Sequence, residues 1–294
     1  DLDKAEDLHN QSLKISIDID YFQRQSSNFG SLAEIARMKG DRKSALDFLD
    51  NSLEISRENG YSKGEAANLA QIAIMHRYDN PELAKKYYSD SLEINEKIGH
   101  MKGVAACLGG LAFIARRNKN LKRARKLYLR CLDISIEIEN KRGIGINLSE
   151  LGLISLFEKK YDESENYYKR SLEINREIEY NRGIATVLGS LGNLATKRKD
   201  NKKAVEYYLE SLDVNKQSGN ISGVSLTLHR LGQIHLDLNN LDKAEEYYEK
   251  CRIVNRDIED YKNESMALGK LVKIAKKKGD FSKAKILDAE RKRN

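Results

Sequence analysis

The sequence predicts an all-α protein built as a solenoid of antiparallel helix hairpins, and three observations support this prediction. A pattern of about 40 residues recurs along the chain, apolar residues within each copy follow a helical period, and the 294 residues include a single proline. The hydrophobic content of 40% supplies enough material for a core, which excludes global disorder. No apolar run is long enough to cross a bilayer, so we expect no membrane segment.

Two series of residues mark the repeat and run in step. A small residue followed by Leu recurs at spacings of 40 residues, with one spacing of 39. An alanine, replaced once by serine, recurs with the same spacing. The first series is Ser12-Leu13, Ser52-Leu53, Ser91-Leu92, Cys131-Leu132, Ser171-Leu172, Ser211-Leu212 and the degenerate Cys251-Arg252, and the second is Ala5, Ala45, Ala84, Ala124, Ser164, Ala204, Ala244 and Ala284. Such copies in register indicate a tandem array.

Each copy predicts two antiparallel helices, which gives about fifteen helices and almost no strand. Seven of the eight residues four positions before the alanine series are Asp or Asn, which cap helices by accepting a hydrogen bond from a backbone N–H. They are Asp1, Asp41, Asn80, Asn120, Asp200, Asn240 and Asp280, and Lys160 is the exception. The second helix of each copy is therefore predicted to begin there.

The single proline, Pro81, follows the cap Asn80 at the first helical position, where a missing N–H costs nothing. It lies in the one copy of 39 residues, so we predict that the missing residue belongs to the turn between the two helices. Four residues after the alanine series stand large groups that we expect to pack against small ones: Leu49, Tyr88, Tyr128, Tyr168, Tyr208 and Tyr248. Glycines within the first helix, such as Gly189 and Gly192, are predicted to mark close helix crossings.

The repeat divides the chain into three parts. Residues 1–21 form a lone second helix of a truncated repeat, residues 22–260 form six hairpins, and residues 261–294 form a terminal hairpin with a polar, basic cap. In that last part 11 Lys and Arg stand against 4 Asp and Glu, and 11 − 4 = +7 equals the net charge of the whole chain. Asp288 and Arg291 there replace the aromatic and the small residue, as in a solvated cap.

The first residues keep the interior pattern although the preceding helix is missing. We therefore expect the protein to extend upstream of residue 1 by at least one helix. An uncovered apolar helix face invites a substitute partner, which predicts homodimerisation through this N-terminal helix.

The residues Leu191-Gly192, Ala204, Tyr208 and Ser211 resemble the tetratricopeptide repeat pattern, and adjacent copies keep most of it. The segment L-G-x-L-G-N from Leu188 to Asn193 is similar to the long-repeat subclass of Pins-type G-protein-signalling modulators and to kinesin light chains. The resemblance implies a right-handed superhelix. It also implies a non-enzymatic protein–protein interaction module, a scaffold that binds a peptide or protein segment in its concave groove.

In this family the groove is lined mainly by the first helix of each hairpin, at positions two and five after the consensus Leu. We assign these family positions to this sequence residue by residue and add two adjacent residues, Arg117 and Phe157. The candidate groove residues are then Glu34, Arg37, Ile74, Arg77, Phe113, Arg116, Arg117, Leu153, Leu156, Phe157, Asn193 and Gln233. Three consecutive arginines beside apolar groups suit an extended peptide with acidic and apolar side chains, because guanidinium groups bind carboxylates bidentately. The alternative is that these arginines are solvated beside packing hydrophobes.

The sequence favours no catalytic, metal or cofactor chemistry. P-loop, zinc-protease and serine-hydrolase motifs are missing, and the spacing of six between His229 and His235 does not place both on one helix face. Cys131 and Cys251 occupy the position that Ser holds in other copies, which indicates small buried contacts. With three cysteines and no C-x-x-C spacing, we expect a reduced, cytoplasmic protein.

Two rival functions stay open. The chain could be the ligand-sensing repeat domain of a larger signalling ATPase or transcription regulator. Nucleic-acid binding through the basic end is disfavoured, because the run Lys276-Lys277-Lys278 lacks interleaved aromatics for base stacking.

Overall fold

The computed structural model describes residues 1–293, and within this range there are fifteen helices and no strand. Helix accounts for 84% of the chain, so the prediction of an all-α hairpin array is confirmed. The helices are α1 (Leu2–Asp18), α2 (Phe22–Met38), α3 (Arg42–Glu58), α4 (Ser62–His76), α5 (Pro81–Lys97), α6 (Met101–Arg117), α7 (Leu121–Glu137), α8 (Lys141–Phe157), α9 (Tyr161–Glu177), α10 (Asn181–Lys197), α11 (Asn201–Gln217), α12 (Ile221–Asp237), α13 (Leu241–Asp257), α14 (Tyr261–Lys277) and α15 (Phe281–Arg291).

The helices form two compact units, one comprising Asp1–Gly143 and the other beginning at Ile144. Within the first unit the hairpins are α2 with α3, α4 with α5 and α6 with α7. Within the second unit they are α10 with α11, α12 with α13 and α14 with α15. The two compact units are defined by packing, whereas the three parts 1–21, 22–260 and 261–294 were defined by the sequence repeat. The three-part division stays a prediction.

Side-chain caps fix the starts of the second helices. All seven predicted Asp and Asn residues accept a hydrogen bond from the backbone N–H three residues on, as Asp200 does from Lys203 N at 3.1 Å. Lys160 makes no such bond. Three first helices are capped in the same way, by Asn140, Asn220 and Asp260, which were not among the predicted caps.

The prediction about the short copy is wrong in its location. Helix α4 has 15 residues where α2 and α6 have 17, and the connection that follows it spans residues 77–80 rather than three residues. The turn is therefore longer by one residue, and the deletion comes from the end of α4. Pro81 does occupy the first helical position of α5, after the cap Asn80.

The small residues of the repeat tie the two helices of one hairpin together. Ser211 Oγ donates to Ala185 O at 2.9 Å, and Cys251 Sγ donates to Ser225 O at 3.4 Å. A thiol therefore replaces a hydroxyl at the same contact. Burial raises the pKa of the Cys131 thiol to about 12, which keeps this side chain protonated and unreactive.

Only some of the first-helix glycines mark close crossings. A Cβ on Gly192 would lie 2.5 Å from Tyr208 Cε1, so this glycine makes room for the repeat tyrosine. A Cβ on Gly189 would meet only Ser211 Oγ, at 3.9 Å. The prediction of a close crossing holds at Gly192 and is wrong at Gly189.

Because Gly192 is crowded and Gly189 is not, replacing each with Ala should change the free energy of unfolding in opposite directions. Gly192→Ala should destabilise the fold because the added methyl displaces the buried Tyr208 ring, at a cost of about 1–3 kcal/mol. Gly189→Ala should stabilise it by about 0.5–1 kcal/mol through helix propensity. Chemical denaturation of both variants measures the two changes in free energy of unfolding. Equal changes would contradict the packing described for Gly192.

The two ends of the chain expose apolar groups. In α1, Leu8 and Ile15 are 56% and 61% exposed, and in α15 the terminal hairpin leaves Phe281 and Ile286 exposed besides its charged residues. Homodimerisation through α1 stays a prediction that light scattering tests.

Candidate functional site

In the first unit, three arginines gather around two aromatic rings at the ends of α4 and α6. We name Arg77, Tyr78, Phe113, Arg116 and Arg117 the arginine–aromatic cluster. The two rings meet edge to face, with their centroids 5.6 Å apart. The Arg77 guanidinium lies 5.0 Å from the centroid of Tyr78 and 5.2 Å from that of Phe113. Arg117 lies 4.8 Å from Tyr78, and Arg116 lies 5.4 Å from Phe113.

The rings hold these guanidinium groups in place. A cation over an aromatic face is stabilised by about 0.5–1 kcal/mol at an exposed site and by about 2 kcal/mol when desolvated. Burial raises the pKa of the neighbouring Tyr88 hydroxyl, and the positive charge of Arg77 partly opposes that rise. Within residues 1–293, neither Arg77 nor Arg117 is in salt-bridge contact with a carboxylate. The cluster is therefore a preformed positive surface with aromatic walls.

The structure separates Arg37 from this cluster. Its guanidinium donates from Nε and Nη2 to both carboxylate oxygens of Glu34, at 2.7 and 2.5 Å. That bidentate hydrogen bonding to Arg37 lowers the pKa of the Glu34 carboxyl. The three arginines proposed from sequence as one ladder are thus brought together only in part, since Arg37 is neutralised by its own helix. Ile74 is partly exposed on α4.

In the second unit the candidate residues differ in accessibility. Leu156 is 7% exposed and packs in the core with Tyr168 and Leu188. It is not available to a surface ligand, which corrects its assignment to the groove. Leu153 is half-buried against the same core, and Phe157 is 55% exposed.

The two polar candidates of the second unit are half-buried. Gln233 is held on three sides: it accepts from Tyr248 Oη at 3.2 Å and from Lys270 Nζ at 2.8 Å, and it donates to Asp237 at 2.7 Å. This network fixes the orientation of the Gln233 amide. Asn193 lies at the equivalent position of α10.

A cavity of about 340 Å³ in the second unit was not predicted from the sequence. Its walls come from α10, α11 and α12, and among them are Arg182, Thr186, Ser190, Ser222, Leu226 and Arg230. Thr186 and Leu226 precede their consensus Leu by five residues, and Ser190 and Arg230 precede it by one. Including these two offsets in the carry-over would have found the cavity.

The histidines of α12 pack on tyrosines. His229 lies edge to face with Tyr248, with centroids 5.3 Å apart, and His235 stacks on Tyr247 at 5.5 Å. Burial lowers the pKa of His229, with the charges of Lys270 and Arg230 adding to that effect. In the described part of the chain, no three His, Cys, Asp or Glu residues cluster as metal ligands would.

No described helix is both long and apolar enough to cross a bilayer. Among curated proteins, none matches the chain.

Three solved structures of other proteins have a similar fold. A signal transduction ATPase with numerous domains and a tetratricopeptide repeat sensor, from Pyrococcus horikoshii, is 18% identical with a TM-score of 0.71, and the match covers 99% of this chain and 47% of that one. The apo form of the quorum sensor NprR from B. thuringiensis is 15% identical with a TM-score of 0.74, covering 98% and 82%. A Rap protein complexed with competence and sporulation factor is 17% identical with a TM-score of 0.62, covering 86% and 76%.

These likenesses show the fold, and the chain spans about half the length of the Pyrococcus horikoshii protein, 47%. The family is shown by sequence. Models described as tetratricopeptide repeat match residues 104–141, 144–217 and 227–251. The matched ranges include most of α6, which carries three residues of the cluster, and the α10–α11 hairpin. The chain is a tetratricopeptide repeat protein.

Proposed function

We propose that the chain is a non-enzymatic interaction module whose first helices bind an extended peptide or protein segment with acidic and apolar side chains. The observation that carries this proposal is the arginine–aromatic cluster. It presents Arg77 and Arg117 without carboxylate partners in the described chain, beside the exposed or half-buried rings of Tyr78 and Phe113. A partner with a carboxylate next to an apolar side chain would satisfy both features at once.

The mechanism is recognition on a preformed surface. The guanidinium groups are already oriented by the rings, so fewer rotamers are lost when a ligand binds. Arginine presents a planar fork of donors that matches a carboxylate, and such charge-assisted hydrogen bonds contribute about 1.5–3 kcal/mol each. Most of the conformational entropy lost on binding is then lost by the ligand.

The family supports a binding role, since stacked helical repeats build extended concave surfaces for partners. A Rap protein of similar fold is itself seen with a bound factor. We place the protein in the cytoplasm, because its three cysteines are free and buried and so fit a reducing compartment.

A random peptide library selected on the immobilised protein tests the proposal. We expect enriched peptides to place Asp or Glu beside Leu, Ile or Phe. Fluorescence anisotropy of a selected peptide should show binding that weakens as salt rises, because exposed charge pairs are screened. Enrichment of basic peptides, or no enrichment at all, would overturn the proposal.

A second candidate is a ligand-sensing domain of a larger signalling protein. It is favoured by the likeness to a protein that carries a tetratricopeptide repeat sensor, of which the chain spans 47%. The sequence of the parent gene tests it, because an adjoining ATPase or DNA-binding domain is required.

A further inference from the structure

The 340 Å³ cavity of the second unit has an unusual charge balance. Two arginines line it, Arg182 from α10 and Arg230 from α12, and no acidic residue does. Within residues 1–293 neither guanidinium is in salt-bridge contact with a carboxylate. Two like charges around one cavity repel each other unless an anion enters between them.

Several other arginines of this unit are paired with carboxylates. Arg176 contacts Glu210 at 2.5 Å, and Arg198 contacts Asp162 and Glu165, each at 2.5 Å. Arg182 and Arg230, by contrast, line a concavity without a carboxylate partner among the described residues.

Arg230 is held at the cavity by a buried residue. Its guanidinium lies 5.7 Å from the centroid of the Tyr208 ring, and Nη1 donates to Tyr208 Oη at 3.4 Å. Tyr208 is a repeat tyrosine that is 2% exposed, so its position is fixed by the core. The arginine is thus oriented before any ligand arrives.

The remaining walls combine small and polar residues with the apolar Ala185 and Leu226. Gly189 leaves open space, since a Cβ there would meet only Ser211 Oγ at 3.9 Å. Ser190 and Thr186 donate to backbone carbonyls of their own helix, at 3.0 and 2.7 Å, and neither adds negative charge to the cavity. Glu150 lines a neighbouring cavity of about 140 Å³ that shares Arg182.

We propose that this cavity binds a phosphate monoester, carried by a phosphoserine or phosphothreonine of the bound segment. A phosphate monoester carries a charge of about −1.5 to −2 at neutral pH, which matches two guanidinium groups, whereas a carboxylate matches one. Its three oxygens can accept bidentate hydrogen bonds from both arginines. The phosphopeptide form of the proposal rests on the proposed function, but the anion site itself does not.

Inorganic phosphate is the first probe, because it needs no peptide. Phosphate should raise the melting temperature of the whole chain in a saturable manner, since a ligand that binds only the folded state stabilises it. Acetate at equal ionic strength should have little effect. The double variant Arg182→Gln/Arg230→Gln should lose the phosphate effect.

A matched control removes the same charge elsewhere. Arg170 and Lys202 are exposed residues of the same unit that do not line the cavity, so Arg170→Gln/Lys202→Gln should keep the phosphate effect. An equal phosphate effect in wild type and in Arg182→Gln/Arg230→Gln would overturn the site. An acetate effect as large as that of phosphate would make it a carboxylate site and overturn the phosphate assignment.

Peptides then distinguish the sources of the anion. A library-selected peptide is prepared with serine, phosphoserine or glutamate at each position in turn. At one position we expect phosphoserine to bind roughly tenfold more tightly than serine, about 1.4 kcal/mol, and more tightly than glutamate. Loss of that preference in Arg182→Gln/Arg230→Gln supports the site. Peptide binding with no phosphoserine preference at any position contradicts the phosphopeptide source, whereas failure of every peptide to bind contradicts the proposed function instead.

Discussion

Replacing Leu188 with Asp is expected to destabilise the second unit by about 5 kcal/mol. Leu188 is fully buried in α10 among Tyr168, Leu172 and Leu191. Truncating such a side chain alone costs about 2–5 kcal/mol, and an unpaired carboxylate adds a desolvation penalty. Whole domains are stable by only about 5–15 kcal/mol, so this single change is large enough to unfold the repeats around it. Circular dichroism should show a reduced helical signal at room temperature.

Thr186→Asp is the control for this change. Thr186 lies on the same helix and is exposed, so an aspartate there stays hydrated and should cost less than about 0.5 kcal/mol. A Leu188→Asp variant with wild-type helicity and melting would show that the packing of α10 against α9 is wrongly assigned.

Reversing the charge of Arg77 and Arg117 together should weaken binding of a selected acidic peptide by roughly a hundredfold, equivalent to about 3 kcal/mol. The change removes the two guanidinium groups that no carboxylate of the described chain neutralises, and it places like charges opposite the ligand. The melting temperature serves as the folding readout. Fluorescence anisotropy measures the affinity.

Arg37→Glu is the matched control, because it makes the same reversal at the equivalent repeat position of α2. Since Arg37 is already paired with Glu34, we expect its reversal to change peptide affinity by less than about threefold. If Arg37→Glu weakened binding as much as the double reversal, the cluster would have no special role.

The fold was predictable because the same sequence pattern recurs in every copy of the repeat. Asp200 and its Asp and Asn equivalents each cap a helix, and Tyr88, Tyr168, Tyr208 and Tyr248 each lie against a glycine. Because the same features recur in many copies, an exception in one copy does not change the predicted fold. The position of the deletion near α4 was predicted wrongly. A missing residue can shorten either a helix end or a turn, and the spacing of the repeat does not distinguish the two.

The candidate site was less predictable, because its residues vary between copies. Arg37 is paired with Glu34, three residues earlier in the same helix. The position of the Arg77 guanidinium instead depends on its contact with Phe113, which belongs to another hairpin. Leu156 was misplaced because its side chain turns into the core, as does Leu236 at the same position of α12. The cavity around Arg182 and Arg230 joins three helices, and its residues lie at repeat positions other than the two used to predict the groove.

Photo-crosslinking of a selected peptide tests the central claim that the first helices form the binding surface. The peptide carries a photoreactive residue at one position at a time, and mass spectrometry identifies the attached segments of the chain. The account predicts attachment to the first helices α2, α4, α6, α8, α10, α12 and α14, with α4 and α6 labelled by positions next to an acidic residue. Attachment confined to the second helices α3, α5, α7, α9, α11 and α13 would contradict it.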